Sequence, residues 1–100
     1  MSIPVITGAA VTRFGKHSPG LRALVETVVR KALADAGRTP EQIDHVYVGN
    51  AAAGLLQGQE MIRGQVLLKD TGLLGATVVN VENACASSST AFYLAVNAIR

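Results

Sequence analysis

The only thiol in this 100-residue sequence, Cys85, stands where a strand-forming run gives way to a helix-forming one. Ala76-Thr77-Val78-Val79-Asn80-Val81 reads as a buried strand, Glu82-Asn83-Ala84 as the turn leaving it, and Ala86-Ser87-Ser88-Ser89 as the opening of a helix. A thiol at a helix N-terminus meets unpaired backbone N–H groups and the positive end of the helix dipole. Both favour the thiolate, the nucleophilic form of cysteine. The same N–H groups can stabilise an oxyanion when sulfur attacks a thioester carbonyl, and the small neighbours Ala84 and Ala86 leave an approach path. The chemistry that fits is acyl transfer through an acyl-cysteine, a thiol counterpart of the strand-turn-helix elbow that presents serine in other acyl-transfer enzymes. A lone cysteine also has a plainer reading, as a small buried residue with no chemistry. Ser87 to Thr90 divide in the same way, between capping and packing on one side and hydroxyls that meet a substrate or partner on the other.

The elements that must position this turn are legible from the apolar spacing. Pro4-Val5-Ile6-Thr7 is a short first strand ended by Gly8. Leu21, Leu24, Val25, Val28, Val29, Ala32, Leu33 and Ala36 form one stripe at helical period, with Ser18 as a candidate N-cap and Gly37 where a left-handed C-terminal residue is wanted. Thr39-Pro40-Glu41-Gln42 has the form of a capping box with proline at the first helical position. His45-Val46-Tyr47-Val48-Gly49 is a second strand, and strand, helix, strand implies a right-handed crossover between parallel strands. Asn50 to Gly58 reads as a glycine-rich loop and Gln59 to Lys69 as a helix. The final run, Ala91 to Ile99, is apolar on every side apart from Asn97, which predicts a helix buried all round.

Hydrophobic residues at 49% against 16% charged exclude a disordered chain and leave little material for surface. The apolar surplus collects in strands and in the last helix, more than these elements can cover by themselves. The expected fold is therefore α/β, an incomplete N-terminal part of a layered α/β/α architecture with a mainly parallel sheet. A net charge of +2, with basic residues scattered apart from Arg30-Lys31, gives no nucleic-acid footprint and no polybasic membrane patch. One cysteine cannot form an internal disulfide, which fits a reducing compartment. Met1-Ser2-Ile3-Pro4 lacks the basic and apolar regions of a secretory leader, so the expected location is cytoplasmic. Asn83 to Ile99, the longest uncharged stretch, carries several hydroxyls and is shorter than the roughly 20 apolar residues of a membrane span.

Asn80-Val81-Glu82-Asn83-Ala84-Cys85-Ala86-Ser87-Ser88-Ser89-Thr90-Ala91 resembles the nucleophilic-cysteine segment of the thiolase superfamily, especially its thiolase-like acetyl-CoA acetyltransferases and lipid-transfer (sterol-carrier-type) thiolases. Val5 to Ala10 with Arg13 to Lys16 resembles the opening strand and loop of that family, Val46 to Asn50 its second strand, and Gly58-Gln59 with Arg63-Gly64-Gln65 the helix before the cysteine strand. The resemblance spans essentially the whole chain, and its chemically specific part is the cysteine segment.

The resemblance implies that residues 1–100 are the N-terminal part of a thiolase-like domain ending just after the nucleophile helix, with no second domain. It implies that Cys85 takes an acyl group from a coenzyme A thioester and that its backbone N–H helps form an oxyanion hole. The acyl-enzyme would then undergo Claisen condensation with a second acyl-CoA, or form during thiolytic cleavage of a 3-ketoacyl-CoA. The general base comes in the family from a histidine and a second cysteine in later motifs, which His17 and His45 do not occupy. The isolated chain is therefore expected to be inactive, and no residue in it is assigned to coenzyme binding. CoA thioesters are substrates here, and neither a permanently bound cofactor nor a metal is implied. A homodimer or larger assembly is implied, with a small OB-fold, zinc-ribbon protein as a possible partner. Asn83 matches an asparagine often seen just before the cysteine in the family, and it is expected to hold the turn and not to do chemistry. One departure is Ser88, where many thiolases have glycine. Cysteine followed by serines also resembles the ketoacyl synthases of the same superfamily, leaving a carrier-protein condensing enzyme as an alternative, beside a non-catalytic interaction module.

Overall fold

A computed structural model describes residues 2–100; Met1, the start of the segment read as lacking a leader, lies outside the described residues. The helical stripe forms α1, Leu21–Ala36. It ends in a Schellman arrangement: Gly37 is left-handed at φ 67°, its N–H donates to the Ala34 carbonyl at 3.2 Å, and that of Arg38 donates to Leu33 at 3.0 Å. Ser18 does not cap the helix. Pro19 and Gly20 intervene, the Gly20 N–H closes a turn on the His17 carbonyl, and Gly20 itself holds the N-cap position at φ 87°. The expected capping box leads into a single 3-10 turn, Pro40–Gln42, in which the Thr39 N–H donates to Gln42 Oε1 at 2.9 Å.

That turn delivers the chain to β1, His45–Gly49, which pairs in parallel with β2, Thr77–Val81. The register sets His45 beside Thr77 and Gly49 beside Val81, so both strands finish at the same end of the sheet. Between them run two short helices, α2, Ala53–Gln57, and α3, Arg63–Leu67. The expected loop over Asn50 to Gly58 thus contains a helical turn, and the helix expected from Gln59 to Lys69 is confined to its middle. Gly58 at φ 72° ends α2, and Ile62, itself left-handed at φ 44°, forbids helical continuity before Arg63.

Among the described residues the expected first strand has no partner. Residues 4–7 carry no ladder; Ile3, Val5 and Ile6 are exposed, while Gly8 lies against the backbone of α1 near Ala32 and Ala36. The Ala9 N–H donates to Asp35 Oδ2 at 3.0 Å. An extended, β-branched run becomes a strand only where another strand accepts its hydrogen bonds. An open cleft of about 590 Å³ instead lies between Gly8 and the Val46–Tyr47 part of β1, bordered by Leu33 of α1 and by Ala91 and Phe92 further along the chain.

The last helix, α4, spans Ser87–Ile99 and packs mainly on β1. A side chain added to Gly64 of α3 would meet Val48 and Asn80, whereas one added to Gly49 would meet the backbone of Ser87 and Ser88. Successive residues of a strand face opposite ways, so α3 and α4 cover opposite faces of the sheet. This is the α/β/α layering expected from the sequence. The buried apolar residues are Ala53, Leu67, Leu68, Leu73, Val81 and Ala91. The prediction that α4 is buried all round is not met: Phe92 is 57% exposed, Tyr93 63% and Ile99 52%. One two-stranded sheet can cover only one side of a helix, and among the described residues nothing covers the others.

Candidate active site

The strand-to-helix turn is held in one shape by its own polar atoms. β2 ends at buried Val81, whose carbonyl accepts the N–H of Asn50 at 3.0 Å. Ala84 adopts a left-handed conformation, φ 47°, which costs a non-glycine residue on the order of 1–2 kcal/mol. Its N–H donates to Glu82 Oε2 at 2.6 Å, and its carbonyl accepts both the Ser87 N–H at 3.2 Å and the Ser87 hydroxyl at 2.8 Å. On the other side the Asn83 N–H donates to Ser87 Oγ at 2.8 Å, the Asn83 carbonyl accepts the Ala86 N–H at 2.9 Å, and Asn83 Nδ2 donates to Thr90 Oγ1 at 3.1 Å. Each such bond contributes about 1 kcal/mol net. Together they outweigh the cost of the left-handed residue, which is how a backbone strain of this kind persists.

Cys85 sits at the tip of this elbow, two positions before the first residue of α4, as an exposed free thiol. The burial supposed by the plainer reading of this cysteine is therefore not met in this structure. Among the hydroxyls, Ser87 is buried at 5% exposure and closes the turn, and Thr90 anchors Asn83. Ser88 and Ser89 are exposed. Ser87 and Thr90 thus hold the turn and do not cap α4, which has no side-chain cap, and Asn83 holds the turn with them.

The histidines are elsewhere. His17 lies in the loop before α1, its Nε2 bonded to the Arg13 carbonyl at 2.6 Å. His45 opens β1 and stacks on Tyr47, ring centres 6.3 Å apart. Because the strands are parallel, His45 is at the opposite end of the sheet from Cys85, roughly 13 Å along the strand. Among the described residues no group of three or more His, Cys, Asp or Glu is placed to hold a metal, and no helix is long and apolar enough to cross a membrane.

Three supports of the elbow escape sequence reasoning. Glu82 reads as a surface charge but its carboxylate fixes the Ala84 N–H. Gly49 reads as a strand end but gives α4 room to seat. Asn80, within an apolar strand, accepts the Gly64 N–H at 2.5 Å and donates to Gln65 Oε1 at 2.8 Å, tying α3 to the strand that leads to Cys85. A polar residue inside an apolar strand was the available signal for the last of these.

Residues 4–100 match the family described as thiolase, N-terminal domain. Among curated relatives, the chain is 34% identical over 93 residues to the benzoylsuccinyl-CoA thiolase subunit BbsB of Thauera aromatica, and 39% identical over 92 residues to an acetyl-CoA acetyltransferase of Methanocaldococcus jannaschii. Each alignment takes in 91% of this chain and 23% of the relative. It is also 32% identical over 94 residues to human sterol carrier protein 2, covering 90% of this chain and 16% of that protein. The chain thus spans less than a quarter of the length of these relatives. A match over nearly every residue to the N-terminal-domain model, with the strand, elbow and helix in the expected order, means that the chain belongs to the thiolase family.

Proposed function

We propose that Cys85 is the nucleophile of an acyl-CoA C-acyltransferase. The observation that carries this reading is an exposed thiol on a left-handed, hydrogen-bonded elbow at the start of α4. The Cys85 sulfur adds to the carbonyl of a CoA thioester, the bond between carbonyl carbon and coenzyme sulfur breaks, and the CoA thiolate leaves and takes up a proton. The backbone N–H of Cys85 helps to stabilise the oxyanion in between, since those of Ala86 and Ser87 donate into the turn. The acyl-cysteine then reacts with the α-carbanion of a second acyl-CoA to give a 3-ketoacyl-CoA, or the sequence runs in reverse as thiolysis.

Residues 1–100 supply the nucleophile and not the base, since both histidines lie away from Cys85; alone they do not turn over. Their exposed apolar residues, among them Phe92, Tyr93 and Ile99, are consistent with association as a dimer or larger assembly. The same reading carries a cytoplasmic location and leaves room for a small OB-fold, zinc-ribbon partner.

Ser88 favours a second reading. It stands three residues after the cysteine, exposed, where many thiolases have glycine, and it fits a ketoacyl-synthase-like enzyme acting on carrier-bound acyl groups. Incubating the complete protein separately with acetyl-CoA and with acetyl-carrier protein, then mapping the mass of the Cys85 peptide, separates the two. Acylation by acetyl-CoA supports the first reading, acylation by the carrier alone supports the second, and an unmodified thiol in both rules out a nucleophilic role.

A further inference from the structure

We propose that the hydroxyl of Ser87 is a positioning residue for Cys85, holding the elbow in the geometry that accepts an acyl group. The inference rests on the acyl-cysteine reading above. Ser87 Oγ accepts the Asn83 N–H at 2.8 Å and donates to the Ala84 carbonyl at 2.8 Å, so one atom joins the two residues that precede Cys85. Those bonds straddle Ala84, whose φ of 47° is the conformation the backbone would least readily keep unaided.

The hydroxyl has no freedom to do otherwise. Ser87 is 5% exposed, and its backbone is pressed against Gly49 at the end of β1, where a Cβ would fall 2.8 Å from the Ser87 carbonyl. Serine is also the smallest side chain that both donates and accepts at one atom. Alanine at this position removes the hydrogen-bond partner of the Asn83 N–H and leaves the Ala84 carbonyl with the Ser87 N–H alone. The left-handed turn is then free to relax, which moves the sulfur and the backbone N–H of Cys85 relative to α4. Displacements of about 1 Å in a reacting group cost acyl transfer heavily, up to about 100-fold, while leaving a small diffusible reagent indifferent.

The test compares Ser87→Ala, Ser87→Thr and Ser87→Val with the unmodified enzyme, all in the complete protein. Thr and Val are isosteric, so their difference isolates the hydroxyl from volume and keeps the test informative if the alanine variant folds poorly. Two rates are read at Cys85: acetylation by acetyl-CoA and alkylation by iodoacetamide. The expected result is a 10- to 100-fold loss of maximal acetylation rate in the Ala and Val variants. The acetyl-CoA concentration for half-maximal rate should stay unchanged, alkylation should stay within about twofold, and threonine should restore acetylation. Equal acetylation rates for the Thr and Val variants would overturn the proposal, as would acetylation and alkylation falling together. If the unmodified enzyme is alkylated but never acetylated at Cys85, the nucleophile reading itself fails, a result distinct from failure of the clamp.

Discussion

Gly49 and Ser87 meet backbone to backbone: a Cβ on the last residue of β1 would lie 2.8 Å from the carbonyl carbon and oxygen of the first residue of α4. The elbow that carries Cys85 is therefore seated on the sheet by the absence of a side chain. A contact this short is closer than real Cβ atoms come, and the neighbours are main-chain atoms of Ser87 and Ser88, which cannot swing aside.

Replacing Gly49 with alanine accordingly forces α4 away from β1. The expected cost is about 1–3 kcal/mol of stability, the range for overpacking a close contact, accompanied by slower acylation of Cys85. Urea denaturation of the complete protein measures the first and mass analysis the second. A variant of unchanged stability would mean that the helix seats with slack that the structure does not have.

Gly37 offers the opposite case. Nothing lies within 4 Å of where its Cβ would be, but its φ is 67°. Gly37→Ala should cost about 1 kcal/mol through backbone conformation alone, without affecting acylation. Thermal unfolding together with the acylation assay checks both halves of the statement.

Asn80 links α3 to β2 through two hydrogen bonds. Asn80→Ala leaves the N–H of buried Gly64 without its partner, at a cost of about 1–3 kcal/mol. Asn80→Asp keeps that acceptor, and the Gln65 amide can turn its NH2 group toward the new carboxylate, so the loss should be smaller. Comparing the two denaturation midpoints tests this order; aspartate being the more damaging would refute it.

Cys85→Ala should abolish acylation and leave stability within about 0.5 kcal/mol, because an exposed side chain outside the core contributes little to folding. Retained covalent acyl transfer to another residue in this variant would remove Cys85 from the mechanism.

Much of this is legible in the sequence. The stripe from Leu21 to Ala36 and the glycine after it specify α1 and its end because helical period and left-handed capping are local properties. The two strands and the turn before Cys85 are legible for the same reason. Ser18 does not cap because capping requires a serine at one position, and Pro19-Gly20 place the start of the helix beyond it. The run from Pro4 to Thr7 has strand composition but no partner, and pairing is not a property a segment possesses alone. The left-handed Ala84 was hidden too: alanine carries no sign of it, and the bonds that enforce it come from Glu82 and Ser87 on either side.

The parallel register of β1 and β2 also bears on the order of folding. The bonds that shape the elbow reach at most from Asn83 to Thr90, whereas the pairing that brings Gly49 up to Ser87 must join His45 to Thr77 across two intervening helices. Closing the larger loop is the slower event, since its entropy is lost before its contacts are gained. The turn around Cys85 can thus form early and locally while its platform arrives late. A chain halted between the two would already present its thiol, unsupported, to oxidants and to stray electrophiles.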